Sequence, residues 1–380
     1  MNNFKDIRKF INLNILKCYQ KIFIKNGIKN NLGNYIISII TLIILFLIFI
    51  LLFKDFKNLK IQINKIVEAK KENNNKIKII TNKITIKKNE NKNKRNSFNQ
   101  PKNQFIKNTN FIKSSDEISF KSKSKINLKN TKVLDTSIQN ENIDDLKNKI
   151  LKYNDYEMNI LPYDKALKYD KRNFYEFYLS LLKTKQILIF TFYTSNDYNS
   201  RVMKISLFLF LIALSLAINA LFFNDSNIHK IYEEEGNFNF LYQIPNIIYS
   251  SILSSVINAL IKYLSLSQND IIKLKQEEQE ENNNIEDKGI KLLKCLSIKF
   301  IIYFMLLILL LILFWFYLSC FCVVYKNTQI FLIKDTLISF GFSLLYPFGI
   351  NIIPCMFRIL SLKTQKKDKV CIYKISKFLI

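Results

Sequence analysis

The chain holds one His, six Gly and five Pro in 380 residues, and its 30 Asp plus Glu are outnumbered by 57 Lys plus Arg. A single histidine removes HExxH zinc sites and most imidazole acid/base chemistry. So few Gly and Pro exclude collagen-like, mucin-like and Gly/Ser-linker chains. No GxxxxGK[ST] or GxGxxG phosphate loop and no GxSxG elbow occurs, so an enzyme is not expected. Cys18, Cys295, Cys320, Cys322, Cys355 and Cys371 follow no disulfide or zinc spacing, and Cys320 and Cys322 form CxC inside an apolar run where a redox site would need CxxC. They read as small buried hydrophobes. Cys295 and Cys371 lie beside lysines next to membrane segments, a setting that permits S-palmitoylation. No catalytic, cofactor-binding or metal-ligating residue is assigned, and no cofactor is implied.

What the chain does have is a formal charge of +27 together with 49% hydrophobic residues, the latter gathered into long runs. An all-α membrane protein is expected, with about five transmembrane helices, an interfacial amphipathic helix and a largely disordered basic segment. Residues 34–53 are free of charge, and twenty residues at 1.5 Å each cross a hydrocarbon core of about 30 Å. Lys54, Asp55 and Phe56 follow with no small-residue cleavage pattern, so an uncleaved anchor is favoured over a signal peptide. Residues 205–263 read as a transmembrane hairpin. Its second helix carries Pro245, Ser251, Ser254, Ser255 and Asn258, which suit contact with protein better than with lipid. Residues 300–361 read as a second hairpin, with Trp315, Tyr317 and Tyr325 near the end that meets the interface. Its last helix, about 337–360, contains Gly341, Pro347, Gly349 and Pro354 and is expected to kink near Pro347.

The remaining segments divide as a basic N-terminal stretch (1–33), a basic and largely disordered stretch (54–143), an ordered helical juxtamembrane region (144–204), a polar linker (264–299) and a basic tail (362–380). Residues 54–172 carry 29 Lys plus Arg against 14 Asp plus Glu. Low hydrophobicity with that charge predicts disorder for most of the stretch, although 76–88 and 118–130 alternate like strands. Juxtamembrane lysines each contribute about 1 kcal/mol near an anionic leaflet, so the partners expected are the bilayer and, through residues 54–130, anionic lipid headgroups. Nucleic acid is not an expected partner, because no aromatic-interleaved module or zinc finger accompanies the charge.

Positive charge in short loops stays cytoplasmic. The linker and the tail are therefore expected inside, and the acidic loop 224–240, with the Asn224-Asp225-Ser226 sequon, outside. Residues 1–33 carry seven Lys or Arg and pull the other way. Six spans would put them inside if 174–193 crossed the membrane. Lys183 and Lys185 near the middle of that run oppose it at roughly 2.5–3.5 kcal/mol each, and the run reads instead as the interfacial amphipathic helix.

Three blocks, NILPYDKALKYDKRNFYEFYLSLLKTKQILIFTF (159–192), residues 196–267 and FYLSCFCVVYKNTQIFLIKDTLISFGFSLLYPF (316–348), resemble a family of uncharacterised multi-pass transmembrane proteins abundant in ciliates. The resemblance covers roughly the C-terminal 60% of the chain. It implies a multi-pass helical membrane fold and a ciliate-like origin, and no particular activity. Two readings of function stay open: a membrane organiser or tether with a basic lipid-facing arm, and a channel or transporter subunit with the Pro347 helix lining the pathway. Against transport, the spans show no buried acid or base. His229 beside Glu233 to Glu235 reads as a solvated loop, and Lys334 with Asp335 as an interface anchor.

Overall fold

The computed structural model describes residues 11–72, 74–75, 152–193, 197–223, 228–229, 233, 240–276, 282–363 and 369–380. The strand-like patches at 76–88 and 118–130, and the start of the juxtamembrane region at 144, lie outside the described residues. Those that are described form helices and connecting turns, without a strand among them. Four helices are long and apolar enough to cross a membrane: Leu32–Glu72, Arg201–Phe222, Asn284–Val324 and Gln329–Lys363.

In chain order, a 3-10 segment (Asn14–Phe23) is followed by α1 (Lys25–Lys29), α2 (Leu32–Ile50), α3 (Asp155–Ile160), α4 (Tyr163–Tyr169), α5 (Phe174–Lys185) and α6 (Ile187–Phe192). Then come α7 (Arg201–Phe222), α8 (Phe240–Ser265), α9 (Gln268–Gln276), α10 (Asn282–Val324), α11 (Gln329–Ile350), α12 (Ile352–Lys363) and α13 (Val370–Leu379). The chain separates into two units, the first made of Met1–Asn64, Tyr153–Glu278 and Glu286–Ile380, the second of Lys65–Lys152 and Gln279–Ile285. Within the second unit, Ile66, Val67, Ala69 and Ile285 are buried.

The first unit is built around α7. Leu207, Phe210, Ala213, Leu214 and Ala217 are buried along its length, and α2, α8 and α11 pack on it. The α2 helix starts where Asn31 accepts a bond from the Asn34 amide, an N-cap that satisfies one orphan donor. Its buried residues Ile37, Ile40, Ile44 and Leu47 recur at three- and four-residue intervals, so one stripe faces protein. On the other side Leu42, Phe46 and Phe49 are exposed, as are Met305, Leu309 and Ile312 of α10 and Leu337, Phe342 and Leu345 of α11. Apolar surface this extensive suits a hydrocarbon solvent. Where α2 crosses α10, a Cβ on Gly33 would lie 2.9 Å from the Leu318 carbonyl oxygen and 2.9 Å from Cys322 Sγ, so the close crossing requires glycine.

Polar contacts mark both ends of the bundle. At one end the Asn12 amide donates to Leu221 O (2.9 Å), Asn12 Nδ2 donates to Phe223 O (3.0 Å), and Trp315 Nε1 donates to Asn34 Oδ1 (2.7 Å). The Asn12 bonds tie the N-terminal segment to the end of α7, and the Trp315 bond ties the start of α2 to α10. At the other end Ser200 donates to Asp55 and the Phe56 and Phe300 rings meet at 6.0 Å, joining the helical residues that continue α2 past Ile50 to the start of α7 and the body of α10.

One expectation about helix continuity comes out differently, and the break expected near Pro347 falls one turn beyond it. The run 174–193 is two helices meeting at Gln186, whose backbone is extended (φ −78°, ψ 118°). Gln186 is buried there, its oxygen accepting from the Ile189 amide and its Nε2 donating to Leu344 O. The last apolar run does not break at Pro347, which stays inside α11; it turns at Asn351, between the two prolines. The Asn351 amide still reaches Pro347 O (3.3 Å), and Pro354 falls in the first turn of α12, where its missing N–H costs least.

Candidate functional site

The residues most tightly organised by polar contacts lie where α3 to α5, α9, α12 and α13 pack together beside the bundle. The local sequence explains the framework. Asn154 with Glu157 and Asn173 with Glu176 each form a capping box, fixing the starts of α3 and α5. Asp170 closes α4, its amide donating to Ala166 O, and Arg172 follows two residues later.

Asp170 is the hub. Arg172 grips it bidentately, with Nε to Oδ1 at 2.7 Å and Nη2 to Oδ2 at 2.9 Å. Arg358 of α12 donates to the same carboxylate from Nη2 (2.7 Å) and Nε (3.1 Å). The remaining Arg358 donors reach Met158 O at 2.7 Å and Asn159 O at 3.0 Å, while Arg172 Nη1 reaches Asn159 Oδ1 (3.0 Å) and Ser180 Oγ (2.9 Å). Both guanidiniums lie against the Phe177 ring, at 5.0 and 4.8 Å, and Arg358 also lies against Tyr373 at 4.9 Å. Arg358 is 0% exposed. Burial pushes the Asp170 carboxyl upward, but hydrogen bonds and positive charge from Arg172 and then Arg358 outweigh it and hold the group below its ordinary range.

A second buried pair lies on the same helix α3. Glu157, 0% exposed, accepts from Lys275 of α9 at 2.8 Å, and Lys275 also meets the Tyr198 hydroxyl at 3.4 Å. Burial, reinforced by the nearby Glu157 charge, pushes the Tyr198 phenol up to about 12. Glu157 Oε1 and Asn159 Nδ2 are buried without a hydrogen-bond partner. The two pairs together set three cations against two carboxylates, an arrangement that clamps α3, α9 and α12. Nothing in it presents a nucleophile beside a base.

The residues singled out from sequence scatter. Pro347 is buried within α11, whereas Gly341 and Gly349 on that helix face open space. Lys334 is exposed and Asp335 half-buried in the second turn of α11, next to Thr336, which accepts from Asn219 of α7 at 3.1 Å. His229 pairs with Glu233 at 3.6 Å on an exposed surface, and Cys320, Cys322 and Cys355 are buried free thiols. The expectation that the apolar runs hold no buried acid or base is corrected by Arg358, which belongs to the 337–360 run. Lys204, in the first turn of α7, is buried as well and paired with Asp197 at 2.6 Å. An arginine near the end of an apolar run reads as a membrane-end anchor; only its partners, some 190 residues upstream, reveal a core ion.

No known family model matches the chain, and no curated protein or solved structure is detectably similar to it.

Proposed function

We propose that this protein is a multi-pass membrane organiser or tether of five spans, the 26-residue helix α8 being the fifth. Its basic arm, residues 54–130, grips anionic headgroups on the cytoplasmic side, where the C-terminus also lies. The reading carries no enzymatic step, and membership of the ciliate multi-pass family goes with it. The observation that carries it is the segregation of the bundle's ends. The N-terminal segment is bonded to the turns at Phe223 and Tyr325, whereas Asp55, on the helical continuation of α2, is bonded to the start of α7, so the first apolar helix runs from one end of the bundle to the other. Opposite ends for the N-terminal segment and the arm support the five-span reading, in which the two lie on opposite sides of the membrane. The arm itself lies mostly outside the described residues; its support is its charge of 21 Lys plus Arg to 6 Asp plus Glu over 54–130 and the lysine-rich linker and tail that share its side in this topology.

The test has two arms. An epitope near residue 100 in intact microsomes should be digested by added protease while the loop 224–240 is protected. Proteoliposomes should capture acceptor vesicles containing phosphatidylserine, and Lys→Gln changes across 76–88 and 118–130 should abolish capture. Undiminished capture by the neutralised arm would sink the tether reading.

A further inference from the structure

Where α2 and α11 begin, at the end of the bundle that holds the N-terminal segment, the surface opens into a cavity of about 350 Å³. Its lining includes Lys29, Asn30, Tyr35, Lys326, Asn327 and Gln329, and no carboxylate is among its walls. Both lysines are exposed. The walls are held firmly: Gln329 donates to Asn30 O (3.1 Å) and accepts from the Leu32 amide (3.1 Å), and the Tyr35 hydroxyl donates to Lys29 O (3.2 Å). Leu32 and Gln329 are the first residues of α2 and α11, while Lys29 closes α1 and α10 ends at Val324, so helix N- and C-termini offset one another and the charge of the cavity is that of its two ammonium groups. The volume falls within the range of small-molecule sites.

What lies next to the cavity decides between ligands. Tyr35 is 46% exposed at the start of an apolar helix, and from it Ile39, Leu42, Ile43 and Phe46 follow as exposed residues at three- and four-residue spacing on one face. A tyrosine in that position marks the boundary between headgroups and hydrocarbon. A polar basic cavity thus opens at the top of an apolar track, which matches a molecule with an anionic head and acyl tails and does not match a soluble anion. We infer that the cavity is a binding site for the phosphate of an anionic phospholipid, held by Lys29 and Lys326, with its acyl chains along the exposed face of α2. The inference rests on α2 and α11 being membrane spans and is independent of the basic arm.

The test titrates fluorescent short-chain phosphatidylglycerol onto the full-length protein in neutral detergent micelles. Two lysines near a headgroup correspond to a loss on the order of thirtyfold in affinity, expected for the double variant Lys29→Gln/Lys326→Gln. The charge-matched control Lys17→Gln/Lys21→Gln, which alters exposed lysines that are not among the cavity's walls, should bind as the wild type does. Equal binding by the cavity variant, or equal loss in the control, would overturn the site. Competition by inorganic phosphate as strong as that by the lipid would overturn the lipid assignment. Carbonate extraction of each variant separates the underlying premise: an extractable protein sinks the spans, whereas an integral protein with unchanged affinity sinks only the site.

Discussion

Replacing Asp170 by Asn tests whether the buried cluster holds the juxtamembrane helices on the bundle. The substitution preserves shape and removes the one carboxylate between Arg172 and Arg358, which is 2% exposed at its side chain against 0% for Arg358. Two guanidiniums would then share a site with no counter-charge between them, and stripping one partner from a buried pair costs about 3–5 kcal/mol. Arg358→Met should cost less, about 2–3 kcal/mol, because Asp170 keeps its bidentate bond to Arg172 and the chief loss is charged hydrogen bonds to two carbonyls. The double variant should fall short of the sum by at least about 1 kcal/mol, as for residues in one network. Cys355 provides the assay: it is 0% exposed and packed with Phe177 and Leu181, so opening of this region exposes its thiol. At 1.4 kcal/mol per decade, Asp170→Asn should accelerate its labelling on the order of a hundred- to a thousandfold, read at Cys355 by peptide mass spectrometry. Labelling within about threefold of wild type, or strict additivity of the two substitutions, would refute the clamp. The pH dependence gives a second reading. Asp170 is held below its unfolded value of 3.8, so its contribution is complete above that pH and is lost as pH falls through the folded value. The thermal midpoint of the wild type should therefore drop further in acid than that of Asp170→Asn.

Other outcomes follow from the same contacts. Lys275→Met strands the fully buried Glu157 and should cost about 3–5 kcal/mol, and adding Glu157→Gln should recover part of it in denaturant unfolding. Gly33→Val forces a branched side chain against the Leu318 carbonyl and Cys322 and should destabilise by about 1–3 kcal/mol, whereas Gly341→Ala and Gly349→Ala, which meet nothing within 4 Å, should be neutral or stabilise α11 by up to about 1 kcal/mol in the same assay. Tyr198 has a folded value of about 12 against 10.0 unfolded, so its contribution is present below pH 10 and lost as pH rises towards the folded value. Alkaline unfolding curves should show that loss in the wild type and not in Tyr198→Phe.

The sequence by itself determined the class of molecule. Apolar runs long enough to cross hydrocarbon have few other homes, and the four apolar helices of the structure contain the runs at 34–53, 300–324 and 337–360 and all but the last residue of 205–223. Local chemistry was equally readable in principle: Asn154 with Glu157 and Asn173 with Glu176 are capping boxes spelled within four residues. Tertiary structure alone decided which polar groups became core. Arg358 and Asp170 are 188 residues apart, and nothing local distinguishes this arginine from one that anchors a helix end at the headgroups. Helix breaks were decided the same way. Gln186 interrupts 174–193 because its side chain is used by the Ile189 amide and the Leu344 carbonyl, and Leu344 is brought there by a distant helix. Hydrophobic runs record the solvent that each segment requires, a property of neighbouring residues; burial of charge depends on which distant partner arrives to neutralise it, and that is fixed only when the helices pack.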